Sequence, residues 1–90
     1  MASNDTNDTI FRCVVAAFDG QGLNHIKSES AKIVWGDIPQ DVVVALGNDV
    51  TDCLSSKGID VPELAGAFDS LRSDNQVTVV GDLVAAIAQL

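Results

Sequence analysis

Positive charge is scarce in this 90-residue sequence. Five Lys and Arg residues stand against thirteen Asp and Glu residues, which gives a formal net charge of −8 at pH 7. A surface with this charge repels the phosphate backbone of nucleic acid and anionic lipid headgroups. We therefore expect a basic protein partner and no nucleic acid.

Long hydrophobic runs are also lacking. No apolar stretch reaches the roughly 18 residues that a membrane-spanning helix requires, and no basic segment followed by an apolar one resembles a secretory leader. The sequence therefore predicts a cytoplasmic protein without a membrane span.

Residues that support catalysis or metal binding are few. His25 is the only histidine, and Cys13 and Cys53 lack CxxC spacing. No second histidine is available to activate Cys13, and a chain of this size has little room for a catalytic cleft. We expect a binding module that is not an enzyme and has no cofactor. Both cysteines are expected to be buried reduced thiols instead of a disulfide or metal ligands.

Apolar residues recur at helical spacing along most of the chain. The polar residues 1–8, MASNDTND, are typical of a flexible N-terminus, and one folded domain is expected over residues 9–90. Val42–Val44 alone is compatible with a strand, but the apolar period continues past Gly47 and favours a helix. The fold class predicted is all-α, with helices at about 9–18, 28–35, 39–50, 62–72 and 80–90.

Two stretches share a local pattern. In "FDGQGLNHI", Asp19 precedes Ile26 by seven residues, and Asp52 and Ile59 have the same spacing. An acidic residue after a helix and an isoleucine at loop position 8 resemble the EF-hand of the calmodulin and myosin light-chain family. "GIDVPEL" is similar to the end of such a loop, and "LRSDNQVTVVGDLVAAI" to the segment that follows the N-terminal lobe of an essential light chain.

The resemblance implies a pair of EF-hand-like helix–loop–helix units. Hand one is expected at about 9–36 and hand two at about 39–72, with an extra C-terminal helix at about 80–90. A short antiparallel contact between the two loops, through Ile26 and Ile59, is expected to couple the hands.

Neither loop has the full set of oxygen ligands that calcium requires at loop positions 1, 3, 5 and 12. Leu23 and Leu54 occupy positions where an oxygen is needed. We therefore expect degenerate loops without a bound metal. The remaining loop positions are Asp19, Gln21 and Ser30 in the first loop and Asp52, Ser56, Asp60 and Glu63 in the second.

The family resemblance also implies a function. Light chains clamp a basic amphipathic helix, such as the neck segment of a myosin-like heavy chain, so a calcium-independent, cytoskeleton-associated module that is monomeric when free is expected. Met1 is the only methionine, which favours one dedicated partner over many. The residues expected to line the binding groove are Phe11, Val15, Phe18, Trp35, Leu64, Phe68 and Leu71.

A degenerate acyl carrier protein is the alternative. "GIDVP" and "VTVVGDLVAAI" resemble the end of the second helix and the last helix of that four-helix bundle. The carrier requires a serine at the head of its second helix, where this chain has Pro39. Too little chain follows Ser70, in the only Asp-Ser-Leu sequence, to complete the bundle.

Overall fold

The structure is a computed structural model that describes the backbone of residues 2–90 and the side chains of residues 6–90. It is mainly helical, as the sequence predicted, with four helices, one short 3-10 helix and one pair of strands over those residues. The elements in chain order are α1 (Ala2–Gly20), β1 (Lys32–Val34), the 3-10 helix η1 (Trp35–Asp37), α2 (Gln40–Ser56), α3 (Leu64–Ser73), β2 (Val77–Val79) and α4 (Val80–Ala88).

Helix α1 contains the predicted helix at 9–18 but begins earlier, at Ala2. Most of the segment expected to be flexible is therefore helical, and Met1 lies outside the described residues. Asp8 and Arg12, one turn apart, form an ion pair with an Nε–Oδ2 distance of 3.1 Å. An acidic residue one turn before a basic one stabilises a helix, which helps to explain why α1 extends N-terminal of residue 9.

The predicted helix at about 28–35 is wrong. Residues Lys32–Val34 form β1, which pairs antiparallel with β2 so that Ile33 lies opposite Thr78. β-branched and aromatic residues favour extended structure when a neighbouring strand is available, and Ile33, Val34 and Trp35 follow one another here. A tertiary contact therefore overrides the helical spacing.

The predicted antiparallel contact between Ile26 and Ile59 is also wrong, because the only sheet within residues 2–90 is β1 with β2. The two isoleucine amides donate to local carbonyl groups instead. The Ile26 amide donates to Leu23 at 3.2 Å, and the Ile59 amide donates to Leu54 at 2.9 Å. Ile26 is buried in the core, and Ile59 is partly buried and packs against the core.

The strand pair divides the chain into two helix–strand–helix units. The first is α1–β1–α2 and the second is α3–β2–α4, so each strand lies between two helices of its own unit. The second unit differs from the predicted hand two at about 39–72, because α2 belongs to the first unit. The predicted extra helix at about 80–90 is α4, the last helix of the second unit.

Helices α2 and α3 cross closely. A Cβ atom at Gly47 would collide with the backbone of Ala65. Next to this crossing, the Thr51 hydroxyl donates to the Gly47 carbonyl at 2.8 Å and accepts from the Leu64 amide at 3.1 Å. Thr51 thus caps the start of α3 from α2.

Trp35 is fully buried in the core. Its ring contacts Phe18 edge-on, with centroids 6.1 Å apart, and Phe68 at 5.0 Å. Its indole Nε1–H donates to the Thr78 hydroxyl at 2.9 Å. Trp35 therefore links α1, α3 and β2.

Cys13 of α1 and Cys53 of α2 form a disulfide, with Cα atoms 5.7 Å apart. The prediction of two reduced thiols is wrong. The physical reason is the packing of α1 against α2, which brings together two cysteines separated by 40 positions in the sequence.

Over the described residues, no helix is both long and apolar enough to cross a bilayer.

Candidate functional site

The structure separates the predicted groove residues into two groups. Phe18, Trp35, Leu64 and Phe68 are at most 1% exposed and belong to the core. The other three, Phe11, Val15 and Leu71, are half-buried, and Phe11 and Leu71 pack against the edge of the core. The predicted residues therefore do not form one open groove in this structure.

Phe11 and Val15 do meet at an open site, a surface cavity of about 350 Å³ beside α1 that we call the α1 groove. Buried Ile26 closes one side of it. Its apolar residues can contact an apolar side chain, and its charged residues, Arg12, Asp19 and Lys27, are exposed to solvent. The full lining is Phe11, Arg12, Val15, Ala16, Asp19, Asn24, Ile26 and Lys27.

A second cavity, of about 210 Å³, lies between the α1–β1 connection and β1. Its apolar lining includes Leu23 and Ile33, and its polar lining includes His25, Lys32 and Asp37. The sequence predicts a loop around His25. In the structure His25 is exposed and lines this cavity.

The outer face of the strand pair exposes two valines that the sequence analysis missed. Val34 is 43% exposed and Val77 is 55% exposed, and they lie opposite each other across the strands. The alternation of exposed Lys32, buried Ile33 and exposed Val34 is the signal for this face. It becomes recognisable only when residues 32–34 are treated as a strand.

The predicted calcium-loop positions do not form two loops. In the first predicted loop, Asp19 lies in α1, whereas Gln21 and Ser30 lie in the α1–β1 connection. In the second, Asp52 and Ser56 lie inside α2. The predicted start of the second loop is therefore wrong.

The other two positions, Asp60 and Glu63, lie in the connection from α2 to α3, and all seven side chains are exposed. The Ser56 hydroxyl donates to the Cys53 carbonyl at 2.7 Å, as a helical serine commonly does. Within the described part of the chain, no three His, Cys, Asp or Glu side chains are close enough to hold a metal ion.

No protein-family profile, curated protein or solved structure matches this chain significantly. Its function therefore has to follow from its own residues and geometry.

Proposed function

We propose that the chain is a non-catalytic, light-chain-like binding module that holds a basic amphipathic helix independently of calcium. The observation that supports this most directly is the pairing of two helix–strand–helix units through antiparallel strands. An EF-hand pair has the same order of elements, which supports the proposal with β1 and β2 in place of the expected contact between Ile26 and Ile59. The first unit is α1–β1–α2 and the second is α3–β2–α4.

The charge of the chain selects the class of partner. At −8, its surface attracts Lys and Arg side chains, which increases the association rate and orients the partner. Affinity would come from apolar anchors of the partner, because exposed ion pairs contribute little by themselves.

The closed core sets a condition for this binding. Phe18, Trp35 and Phe68 are buried, so a partner helix can contact them only after the elements that carry them, α1, η1 and α3, move apart. The described state then corresponds to the free lobe. The α1 groove is already open, and Phe11 and Val15 can contact a partner without any rearrangement.

The neck segment of a cytoplasmic motor is the partner class that the light-chain resemblance implies. Disulfides are uncommon in the cytoplasm, where thiol reductants keep cysteines reduced. The Cys13–Cys53 bond would therefore be absent or transient there.

Titration with a Leu-Lys amphipathic helical peptide tests the proposal, using reduced protein and calcium chelator. A peptide of the same length with Glu in place of Lys is the control. We expect a dissociation constant below about 100 µM for the basic peptide, equivalent to about −5.5 kcal/mol, and at least roughly tenfold weaker binding of the acidic one. Binding of both peptides with equal affinity, or of neither, would refute the proposal.

A matched pair of protein variants locates the binding surface. Phe11→Ala removes an anchor from the α1 groove, and Leu71→Ala removes a half-buried side chain from α3. If the partner binds among Phe18, Trp35 and Phe68, Phe11→Ala should have only a small effect on affinity. Loss of about 2 kcal/mol or more with Phe11→Ala alone would place the partner in the α1 groove.

The acyl-carrier alternative gains no support at its attachment position. Pro39 caps α2 and Gln40 is the first helical residue, so no serine occupies the head of that helix. Ser70 lies in the second half of α3, so it is not at the head of a helix. Incubation with a pantetheinyl transferase and coenzyme A should leave the mass of the protein unchanged.

A further inference from the structure

The disulfide lies at the junction of two helix pairs. Helix α2 packs most extensively on α3, whereas α1 packs on α2 and on α4 to a similar extent. Taken as the pairs α1/α4 and α2/α3, the helices meet mainly where α1 contacts α2. The Cys13–Cys53 bond connects α1 to α2 and therefore joins the two pairs covalently at that contact.

The pair α2/α3 is held together by its own contacts. At Gly47 the two helices approach too closely for a side chain, and Thr51 bonds the first amide of α3. Trp35 belongs with the α2/α3 pair. The 3-10 helix η1 packs on α3, and the Trp35 ring is closer to Phe68 than to Phe18. The α2/α3 pair can therefore move as a unit.

The two strands connect the halves without blocking such a movement. β1 lies between α1 and α2, and β2 leads from α3 into α4, so both strands lie where the chain passes from one pair to the other. Each strand has only three residues, so the paired strands are the expected axis of such a movement. A rotation about them would separate Phe18 from Trp35 and Phe68.

We propose that the Cys13–Cys53 disulfide is a redox latch that locks the lobe closed, and that its reduction by a dithiol lets α1/α4 move away from α2/α3. Opening uncovers Phe18, Trp35 and Phe68 for a basic amphipathic helix. The identity of this ligand class rests on the function proposed above, whereas the opening itself does not. The oxidised protein is then the inactive form of the binding module.

The chemistry of the latch is thiol–disulfide exchange. A thiolate of the dithiol reductant attacks Sγ of Cys53, the less buried of the two residues, forming a mixed disulfide and releasing Cys13 as a thiolate, which takes up a proton. The second thiolate of the reductant then displaces Cys53, which is also protonated. The protein gains two electrons and two protons, and the reductant becomes a disulfide.

Burial couples this exchange to opening. Cys13 is 1% exposed, and a thiolate released into an apolar core is poorly solvated. Separation of α1 from α2 gives the leaving sulfur access to water. Reduction is therefore favoured by the same movement that exposes the aromatic residues.

Acrylamide quenching of Trp35, the only tryptophan, tests the opening without any ligand. Oxidised protein, protein reduced with dithiothreitol and a Cys13→Ala/Cys53→Ala variant are compared, with circular dichroism to monitor helix content. We expect the quenching constant to rise at least roughly threefold in the reduced and variant proteins while helix content is retained. Dithiothreitol should not affect the variant, which controls for effects of the reagent.

Two outcomes would overturn the latch. One is unchanged quenching after complete reduction, confirmed by a mass increase of about 2 Da for the two added hydrogens. The other is loss of helix content on reduction, which would make the bond a structural support that the fold requires. Amide hydrogen exchange in α2 provides a second measurement, with faster exchange expected on reduction.

Titration of the oxidised and reduced proteins with the Leu-Lys peptide separates the latch from the proposed function. We expect at least tenfold tighter binding after reduction. Opening without peptide binding would support the latch and refute the function. Equal binding in both redox states would support the function and refute the latch.

Discussion

Gly47→Ala tests the close crossing of α2 and α3. The new Cβ atom would meet the backbone of Ala65 and would lie 2.8 Å from the carbonyl carbon of Leu64. These are backbone atoms, which cannot rotate aside as the end of a flexible side chain can. The two helices must therefore separate to accept one methyl group.

The magnitude follows from two opposing effects. Alanine is a better helix former than glycine by about 1 kcal/mol in a helix interior. Overpacking costs about 1–3 kcal/mol, and a shift of α3 would also weaken the bond between the Leu64 amide and the Thr51 hydroxyl, a helix cap worth about 1 kcal/mol. We expect a net loss of about 1–3 kcal/mol, which lowers the unfolding midpoint by roughly 5–20 °C in a domain of this size.

Gly66→Ala is the matched control, because Gly66 lies in α3 and its hypothetical Cβ meets nothing within 4 Å apart from its chain neighbours and the backbone of its own helix. This variant should be more stable than the parent by about 0.5–1 kcal/mol. Thermal and urea unfolding, followed by far-UV circular dichroism, measures both variants under identical redox conditions. A similar gain of stability in both would show that α2 and α3 do not cross at Gly47, and the packing described here would be incorrect.

Three further predictions concern single bonds. Thr51→Val removes the hydroxyl that caps α3 and should cost about 1–2 kcal/mol in urea unfolding; an unchanged midpoint would contradict the cap. Thr78→Val leaves the Trp35 indole N–H without its acceptor and should cost about 1–3 kcal/mol, whereas Thr78→Ser should retain most of the stability. Replacing both cysteines with alanine should lower the free energy of unfolding by up to about 4 kcal/mol, the loop-closure value for a separation of 40 residues. A loss below about 1 kcal/mol would show that the bond hardly restricts the unfolded chain.

Four helices could be predicted from the sequence because their stabilising signals are local. Pro39 and Pro62 mark the starts of α2 and α3 within two residues, and the apolar period continues through Val42–Val44 in α2. Gly47 lies within that period, at the position where α3 approaches α2. Helical spacing alone does not reveal such an approach.

The disulfide and the division of the groove residues could not be predicted, because both depend on how helices pack. Cys13 and Cys53 each occupy an apolar face, which is equally compatible with a thiol and with half of a disulfide. Similarly, Phe11 and Phe18 both suit an amphipathic helix. The way the α1–β1 connection packs on α1 leaves Phe11 beside the α1 groove and Phe18 in the core. Helical spacing does not contain this information.

The register of the strand pair shows why Ile33, and not Ile26, makes the antiparallel contact. Spacing from an acidic residue singled out Ile26, but burial of an indole ring requires a partner for its N–H group. With Ile33 opposite Thr78, the Thr78 hydroxyl faces the interior and accepts from Trp35 at 2.9 Å. A slip of one residue would turn Thr78 to the outer face and leave that N–H buried without an acceptor. The register is therefore fixed by Trp35, a residue outside both strands.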